Sequence, residues 1–399
     1  MKRYGLAVDI GTTTVTCGLV DLDKKSQIVF VAQANPQVDF GEDVISRIDY
    51  CIKNKTGLSQ LHDAIVGYIN AAIKKLAKQS FIKISDIQKV TIAGNTAMEH
   101  FFLGIYPHRL TEAPYLSNLP AGLIETTAQR VGLALDKYVR IYILPLIKSF
   151  VGSDLTAGIL NTGLLDKKGA NILVDIGTNG EIALITTGKL FVTSTAAGPA
   201  FEGGNTSCGM CAEKGAIEAV KIYDADRISL KVISGGRPKG ICGSGFVEAL
   251  SEMLKIGLID KTGRLAKDFI LFKNKDNTLS ILQKDIRQIQ LAKAAIMAGV
   301  LALVNKAGID FEMIDNLYLA GNFGNYINKE AAINIGLLPH IKPAKITSVG
   351  NAAYKGAVMA LCSEIELKKT IDIAKQATHL SLFGRKDFQE EFIKNISFN

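Results

Sequence analysis

Two stretches of this chain repeat one pattern. Residues 6–20 read LAVDIGTTTVTCGLV and residues 172–184 read ILVDIGTNGEIAL. In each, an apolar run ends in Asp-Ile-Gly-Thr and a second apolar run follows. A short apolar run bounded by a glycine turn predicts a buried strand, and two such runs across one turn predict a hairpin. A third strand follows each hairpin, at IVFVAQA and at KLFVTSTAA. A second match is KVTIAGNTAMEHFFLG at 89–104 with NLYLAGNFGNYIN at 316–328; both read strand, glycine turn, helix. Asp9 thus corresponds to Asp175 and Gly94 to Gly321. The wider spacing of the second pair predicts insertions in the second half.

A duplicated chain of 399 residues is too long for one core. The predicted fold is α/β, with a first domain over residues 1–170 and a second over 171–399 that carries the insertions and a C-terminal tail. Helices are predicted over 42–78, after the turn in SFVGSDLTAGILNTGLL, and over 243–256 and 285–306. Two similar halves facing each other enclose a cleft, and such clefts are common ligand sites.

Charge and composition exclude several classes. The net charge is +8, from 46 basic and 38 acidic residues, with no dense basic block. Neither nucleic acid nor a membrane is therefore an expected partner. The apolar stretch Ala294 to Val304 is too short for a bilayer and is bounded by Lys293 and Lys306. Asp9 interrupts the N-terminal apolar run, so no signal peptide is predicted. Six cysteines in so long a chain do not form a disulfide framework, and the expected compartment is the cytoplasm. Five histidines show no metal-binding spacing.

The repeated turns carry their own chemistry. In Asp9-Ile10-Gly11-Thr12-Thr13-Thr14, the glycine leaves the turn open to a ligand. Backbone N–H groups and threonine hydroxyls there can hold phosphate oxygens, and the aspartate can hold hydrated Mg²⁺. Asp175-Ile176-Gly177-Thr178-Asn179-Gly180 offers the same groups from the second half. Gly321-Asn322-Phe323-Gly324 follows a buried strand, where glycine allows a flat ring or a ribose to approach. Each turn alone is equally an ordinary tight turn. The chain has no G-x-x-x-x-G-K-[ST] loop and no G-x-G-x-x-G fingerprint.

Together, VDIGTTT, VDIGTNGE and LAGNFG resemble the two phosphate motifs and the adenosine motif of the actin, sugar-kinase and heat-shock-chaperone ATPase superfamily. That resemblance implies two ribonuclease-H-like (actin-like ATPase) domains closing on Mg-ATP. Within it, TIAGNTAMEHFFLGI, VGSDLTAGIL, AAGPAFEGGNTSCGM, ICGSGFVEAL, DIRQIQLAKAAI and VGNAAYKGA resemble the ATP-dependent reductive activators of corrinoid proteins. The resemblance runs over most of residues 4–360. It implies a homodimeric ATPase that returns Co(II)-corrinoid to Co(I) in a methyltransferase system, with a corrinoid protein as partner. Members of that family carry a [2Fe–2S] domain ahead of the ATPase. No C-x₄-C-x₂-C run is present here, so electrons are expected from an external low-potential donor, either a separate protein or a domain outside this sequence.

The same resemblance implies a polar residue that orients a water. Asp154 is the candidate, with Asp9 and Asp175 as the metal ligands; an N-cap role for Asp154 stays open. Glu181 and Glu202 are further candidates of the same kind. Cys208-Gly-Met-Cys211, with Cys242, leaves open a subunit-bridging cluster of the dehydratase-activator type, or simply packed thiols. A small-molecule kinase and a nucleotide-dependent assembly protein are the other functions this fold allows.

Overall fold

The structure is a computed structural model that describes residues 3–224, 227–275, 277–321 and 327–399. The chain forms two compact units. One comprises Met1–Asp166 and Asn351–His379, the other Lys167–Gly350 and Leu380–Asn399. The sequence division had assigned 351–379 to the second half; the chain instead returns these residues to the first unit.

The first unit is built on strands β1 (Tyr4–Ile10), β2 (Thr14–Asp21), β3 (Ser26–Ala34), β4 (Ile87–Gly94), β5 (Ile124–Thr127) and β6 (Arg140–Ile143). They lie in the order β3-β2-β1-β4-β6-β5. The β1–β2–β3 meander is antiparallel, and β4 and β6 run parallel to β1. Every residue of β1 is buried, because β1 is a central strand covered on both faces. Helices α1 (Val44–Lys53) and α2 (Gly57–Gln79) follow the meander. Asp43 and Ser46 form a reciprocal cap at the start of α1. Leu61, Ile65, Ile69, Ile73 and Leu76 put one apolar stripe of α2 into the core. Helix α3 (Thr96–Leu103) follows β4, and the short α4 (Ala128–Val131) follows β5. Helix α5 (Ser153–Thr162) comes after β6.

The second unit repeats the plan with β7 (Ala170–Ile176), β8 (Asn179–Thr186) and β9 (Lys189–Ala196) as an antiparallel meander. The length between this meander and the glycine turn holds several inserted elements. Strands β10 (Ala216–Ile222), β11 (Ile228–Val232) and β12 (Gly240–Ile241) form a small sheet, and β13 (Phe269–Lys273) pairs with β14 (Thr278–Ile281). Helices α6 (Gly243–Lys255) and α7 (Gln283–Ala307) pack into the core there. Strand β15 (Ile314–Ala320) then pairs parallel with β7, and β16 (Ile346–Gly350) with β15. Ala320 lies opposite Asp175 as Ala93 lies opposite Asp9, so the two glycine turns that follow occupy equivalent places in the two sheets.

Helix α7 corrects one expectation. It has 25 residues and is long and apolar enough by composition to cross a membrane. Of its most apolar window, 78% is buried in the protein, so its apolar surface is taken up by the unit's own core. The short α8 (Lys329–Asn334) follows β15. After β16 the chain enters the first unit as α9 (Ala352–Cys362) and α10 (Glu364–Gln376), and α11 (Lys386–Lys394) closes the second.

Helix α9 crosses α5 at a place where only glycine fits. A Cβ on Gly356 would stand 2.0 Å from the Ala157 carbonyl oxygen. We therefore expect Gly356→Ala to destabilise the protein by about 1–3 kcal/mol, the usual range for overpacking. Thermal unfolding should show a Tm lower by several degrees. An unchanged Tm would mean that α9 does not make this crossing.

Candidate active site

The first phosphate-type turn lies between β1 and β2. The Gly11 N–H donates to the Thr14 carbonyl at 3.1 Å and closes the turn. A Cβ on Gly11 would lie 2.6 Å from that same oxygen, so glycine is demanded by the turn itself. Three asparagines hold the turn from outside. Asn35 donates from its backbone to the Thr13 carbonyl at 2.8 Å and from Nδ2 to the Gly11 carbonyl at 2.8 Å. Asn95 donates from Nδ2 to Thr12 Oγ1 at 2.7 Å. Asn351 donates from Nδ2 to Asp9 Oδ2 at 2.7 Å. Asn95 and Asn351 are also the N-caps of α3 and α9, so each ties a helix start to the turn.

Asp9 ends β1 and is buried. Loss of solvation raises its pKa to about 6, and the Asn351 amide opposes the rise. Asp154 stands partly buried in the first turn of α5. Its pKa is pushed up to about 7, first by loss of solvation; the Leu155 N–H pulls it down and the Asp9 charge pushes it up. The N-cap alternative for Asp154 is corrected: the cap position is Gly152, which makes no side-chain cap, and Asp154 is the helix's second residue. Gly152 is required there because a Cβ would lie 2.4 Å from the Gly94 carbonyl oxygen. This close approach sets the start of α5 against the β4–α3 turn. Ser153 Oγ accepts from the Gly94 N–H at 3.1 Å, and the Ser153 N–H donates to Glu99 Oε1 at 3.2 Å.

Glu99 is a residue that sequence reasoning missed. It is fully buried, its Oε2 has no hydrogen-bond partner, and burial holds its carboxyl well above the usual range. Asn35, Asn95 and Asn351 were missed as well. A Gly-Asn pair ending a strand, at 94–95 and 350–351, was the available signal for two of them.

In the second unit, Gly177 donates its N–H to the Asn179 carbonyl at 3.0 Å. Thr178 accepts from the Gly198 N–H on its carbonyl, and its hydroxyl donates to Glu202. Asp175 lies opposite Glu181 across the hairpin, and Ser194 Oγ donates to Glu181 at 3.4 Å. A Cβ on Gly180 would be tight, 3.1 Å from Ile296 and from Thr195. Gly321 has φ +102°, and a Cβ there would lie 2.3 Å from the Ile176 carbonyl oxygen. Glycine at 321 thus lets β15 end directly against the second turn. Asn322, Phe323 and Gly324 lie outside the described residues.

The structure therefore gathers Asp9, Gly11, Thr12, Thr13, Thr14 and Asp154 in the first unit, and Asp175, Gly177, Thr178, Asn179, Gly180 and Gly321 in the second. Among the described residues Asp9 and Asp154 form no ion pair with a basic side chain, and no group of three or more His, Cys, Asp or Glu is arranged to hold a metal. A buried Asp9 carboxyl without a basic partner fits a hard divalent cation that takes most of its ligands from water and phosphate, as Mg²⁺ does. The C-x-x-C thiols point to separate acceptors, Cys208 to the Ser280 carbonyl and Cys211 to that of Glu202. Burial and the Asp285 charge push the Cys208 thiol up to about 12, and burial also raises Cys211, so neither is a ready thiolate.

Comparison with known proteins gives the family. Residues 4–167 match the family description "RACo middle region", and residues 169–399 match "C-terminal domain of RACo the ASKHA domain". The corrinoid activation enzyme RamQ of Eubacterium limosum is 35% identical over 420 residues, covering 99% of this chain and 70% of that protein. The [Co(II) methylated amine-specific corrinoid protein] reductase of Methanosarcina barkeri is 28% identical, covering 99% of this chain and 77% of that protein. A solved structure of a reductive activator for corrinoid, iron-sulfur protein superposes with TM-score 0.94 at 36% identity, covering 100% of this chain and 66% of that one. The chain thus spans about two-thirds to three-quarters of the length of these relatives.

The raised carboxyl pKa values give a sign for stability. Asp154 holds a proton to higher pH in the folded protein than in the unfolded one. The folded protein therefore loses stability as pH rises from about 4 to about 7. Without metal or nucleotide, Asp154→Asn should melt above the native protein at pH 8, by roughly 2–4 °C for each kcal/mol of repulsion relieved. The difference should close near pH 4. A difference that is the same at both pH values would contradict the burial of this charge.

Proposed function

This chain belongs to the RACo family of reductive activators of corrinoid proteins, and from that premise we propose that it binds and hydrolyses Mg-ATP to drive reduction of a corrinoid protein from Co(II) to Co(I). The observation that carries the proposal is the family match over nearly the whole chain, joined to the two Asp-Ile-Gly-Thr turns. Electrons come from a low-potential donor that lies outside these 399 residues. The reading further includes Mg²⁺ as the metal, a homodimeric state and a cytoplasmic setting.

The residue roles follow from the chemistry of the turns. The backbone and hydroxyl groups of Gly11 to Thr14 and of Gly177 to Gly180 are the proposed phosphate contacts. One feature of the second turn supports this. A Cβ on Gly177 meets only Asn179 O at 3.6 Å and Glu202 Oε1 at 3.9 Å, so the protein's own packing does not demand glycine there. An incoming phosphate would. Gly321, with Asn322, Phe323 and Gly324, is the proposed adenosine contact. Asp9 and Asp175 are the proposed Mg²⁺ ligands. The metal supplies charge neutralisation for the leaving phosphate oxygens.

Asp154 is the proposed base that orients the attacking water. A carboxyl with pKa near neutrality can accept a proton at pH 7 and return it, as a general base must. The Ser153 N–H on Glu99 and the Ser153 hydroxyl on Gly94 fix the helix turn that presents it. The domain division of the proposal is a lobe boundary near residues 167–170, with 351–379 serving the first lobe.

Hydrolysis does not itself deliver electrons. A protein that binds one cobalt state of its partner better than another shifts the redox balance by that difference in affinity, and nucleotide state can switch the binding. The test is anaerobic visible spectroscopy of the cognate corrinoid protein with titanium(III) as donor. Co(I) absorbance should appear only with this protein and ATP together. With Asp154→Asn, nucleotide binding should persist while turnover falls about 10²-fold or more, the lower end for a lost general base. Co(I) forming equally without this protein would refute the activator reading. Normal turnover in Asp154→Asn would remove the base assignment alone.

A further inference from the structure

The first unit buries an arginine that has no carboxylate beside it. Arg47 is on α1 with 0% exposure. Its Nε donates to the Gly41 carbonyl at 2.8 Å. Its Nη1 reaches Gln37 Oε1 at 3.4 Å and Met98 Sδ at 3.3 Å, and its Nη2 has no partner. It forms no ion pair among the described residues, and Asp43, the acidic residue that acts on it, is exposed. Burial lowers its pKa only to about 10, so it stays charged at neutral pH. A buried, unpaired charge is strongly destabilising unless something else uses it.

The hydrogen bonds around Arg47 lead to one place. Gln37 Oε1 also accepts from Asn35 Nδ2 at 3.4 Å. Asn35 in turn donates to the carbonyls of Gly11 and Thr13. Asn35 and Gln37 are themselves fully buried. Two carbonyls of the turn are thereby tied to the guanidinium through Asn35 and Gln37, three hydrogen bonds in sequence. A positive charge in a low-dielectric interior is little screened and acts over this range.

We propose that Arg47, through Gln37 and Asn35, is a positioning residue that makes the Gly11–Thr14 turn selective for polyanionic ligands, holding the turn's carbonyls inward and placing a fixed positive potential behind its amides. The inference rests on the reading of this turn as a phosphate site. It predicts that affinity depends on ligand charge in a way that a merely structural arginine would not produce.

The experiment compares ATP, ADP and adenosine binding by calorimetry, with Mg²⁺ present, in the native protein and two variants. Arg47→Met removes the charge and keeps an apolar side chain of similar length; by the precedent of buried charges replaced by apolar groups, Tm should hold or rise. Gln37→Glu places a carboxylate beside the guanidinium and neutralises it in place, giving up only the Nε2 bond to the Leu61 carbonyl, so it serves if the methionine variant does not fold. Each variant should bind ATP about tenfold more weakly and ADP less so, with adenosine changed by less than about twofold, as a loss of potential requires. Equal weakening of all three ligands, or no weakening in either variant, overturns the inference while leaving the nucleotide site in place. A native protein that binds no adenine nucleotide rejects the phosphate reading, and this inference with it.

Discussion

A carboxylate buried at the end of a strand needs a counterpart, and Asp9 has none from the protein's own basic side chains among the described residues. The first unit is arranged around that requirement. Asn351 supplies one amide, and it can do so only because the chain returns from β16 to place α9 in this unit. Asp154 arrives on α5 and adds a second negative charge rather than relieving the first. The arrangement is unfavourable as it stands, and the proposed divalent cation would relieve it.

The polar frame around the turn is made of asparagines because each must do two things. An asparagine oxygen can accept from a helix N–H while its amide nitrogen donates elsewhere. Asn95 and Asn351 both use this division, capping α3 and α9 while donating to Thr12 and Asp9. An aspartate could cap the helices but would repel Asp9 and could not donate. The glycines are likewise not interchangeable. Those at 11, 152 and 321 are fixed by contacts of 2.6, 2.4 and 2.3 Å that a Cβ would make with backbone oxygens. Gly177 has space, which fits a position kept small for a ligand.

How much of this was legible in the sequence follows from where each contact comes from. The two hairpins, the glycine turns and the duplication are local patterns, and strand periodicity with glycine punctuation exposes such patterns directly. Asn351 acts on Asp9 across 342 residues, so no local pattern could announce it. The return of 351–379 to the first unit was hidden for the same reason. An N-cap role for Asp154 stayed open because the sequence does not show that Gly152 must approach the Gly94 carbonyl, which moves the cap back by two residues. Arg47 and Glu99 belong to no motif that marks them, since burial of a charge runs against every composition rule. Helix α7 looked shorter in its apolar part than it is, because Lys293 reads as a boundary. In the structure Lys293 is buried inside the helix and donates to the carbonyls of Asn395 and Ser397.

The central claim is that metal-bound nucleotide completes the charge around Asp9. Its most direct measure is the count of protons released when Mg-ATP binds. Asp9 and Asp154 have pKa values near 6 and 7 without ligand, so at pH 6 both carry substantial proton occupancy. A cation beside them favours the ionised forms. Calorimetry at pH 6 in two buffers of different ionisation enthalpy should therefore report net proton release of about half a proton or more, fading to none by about pH 8.5. Proton uptake at pH 6, or binding with no proton change at either pH, would contradict the account.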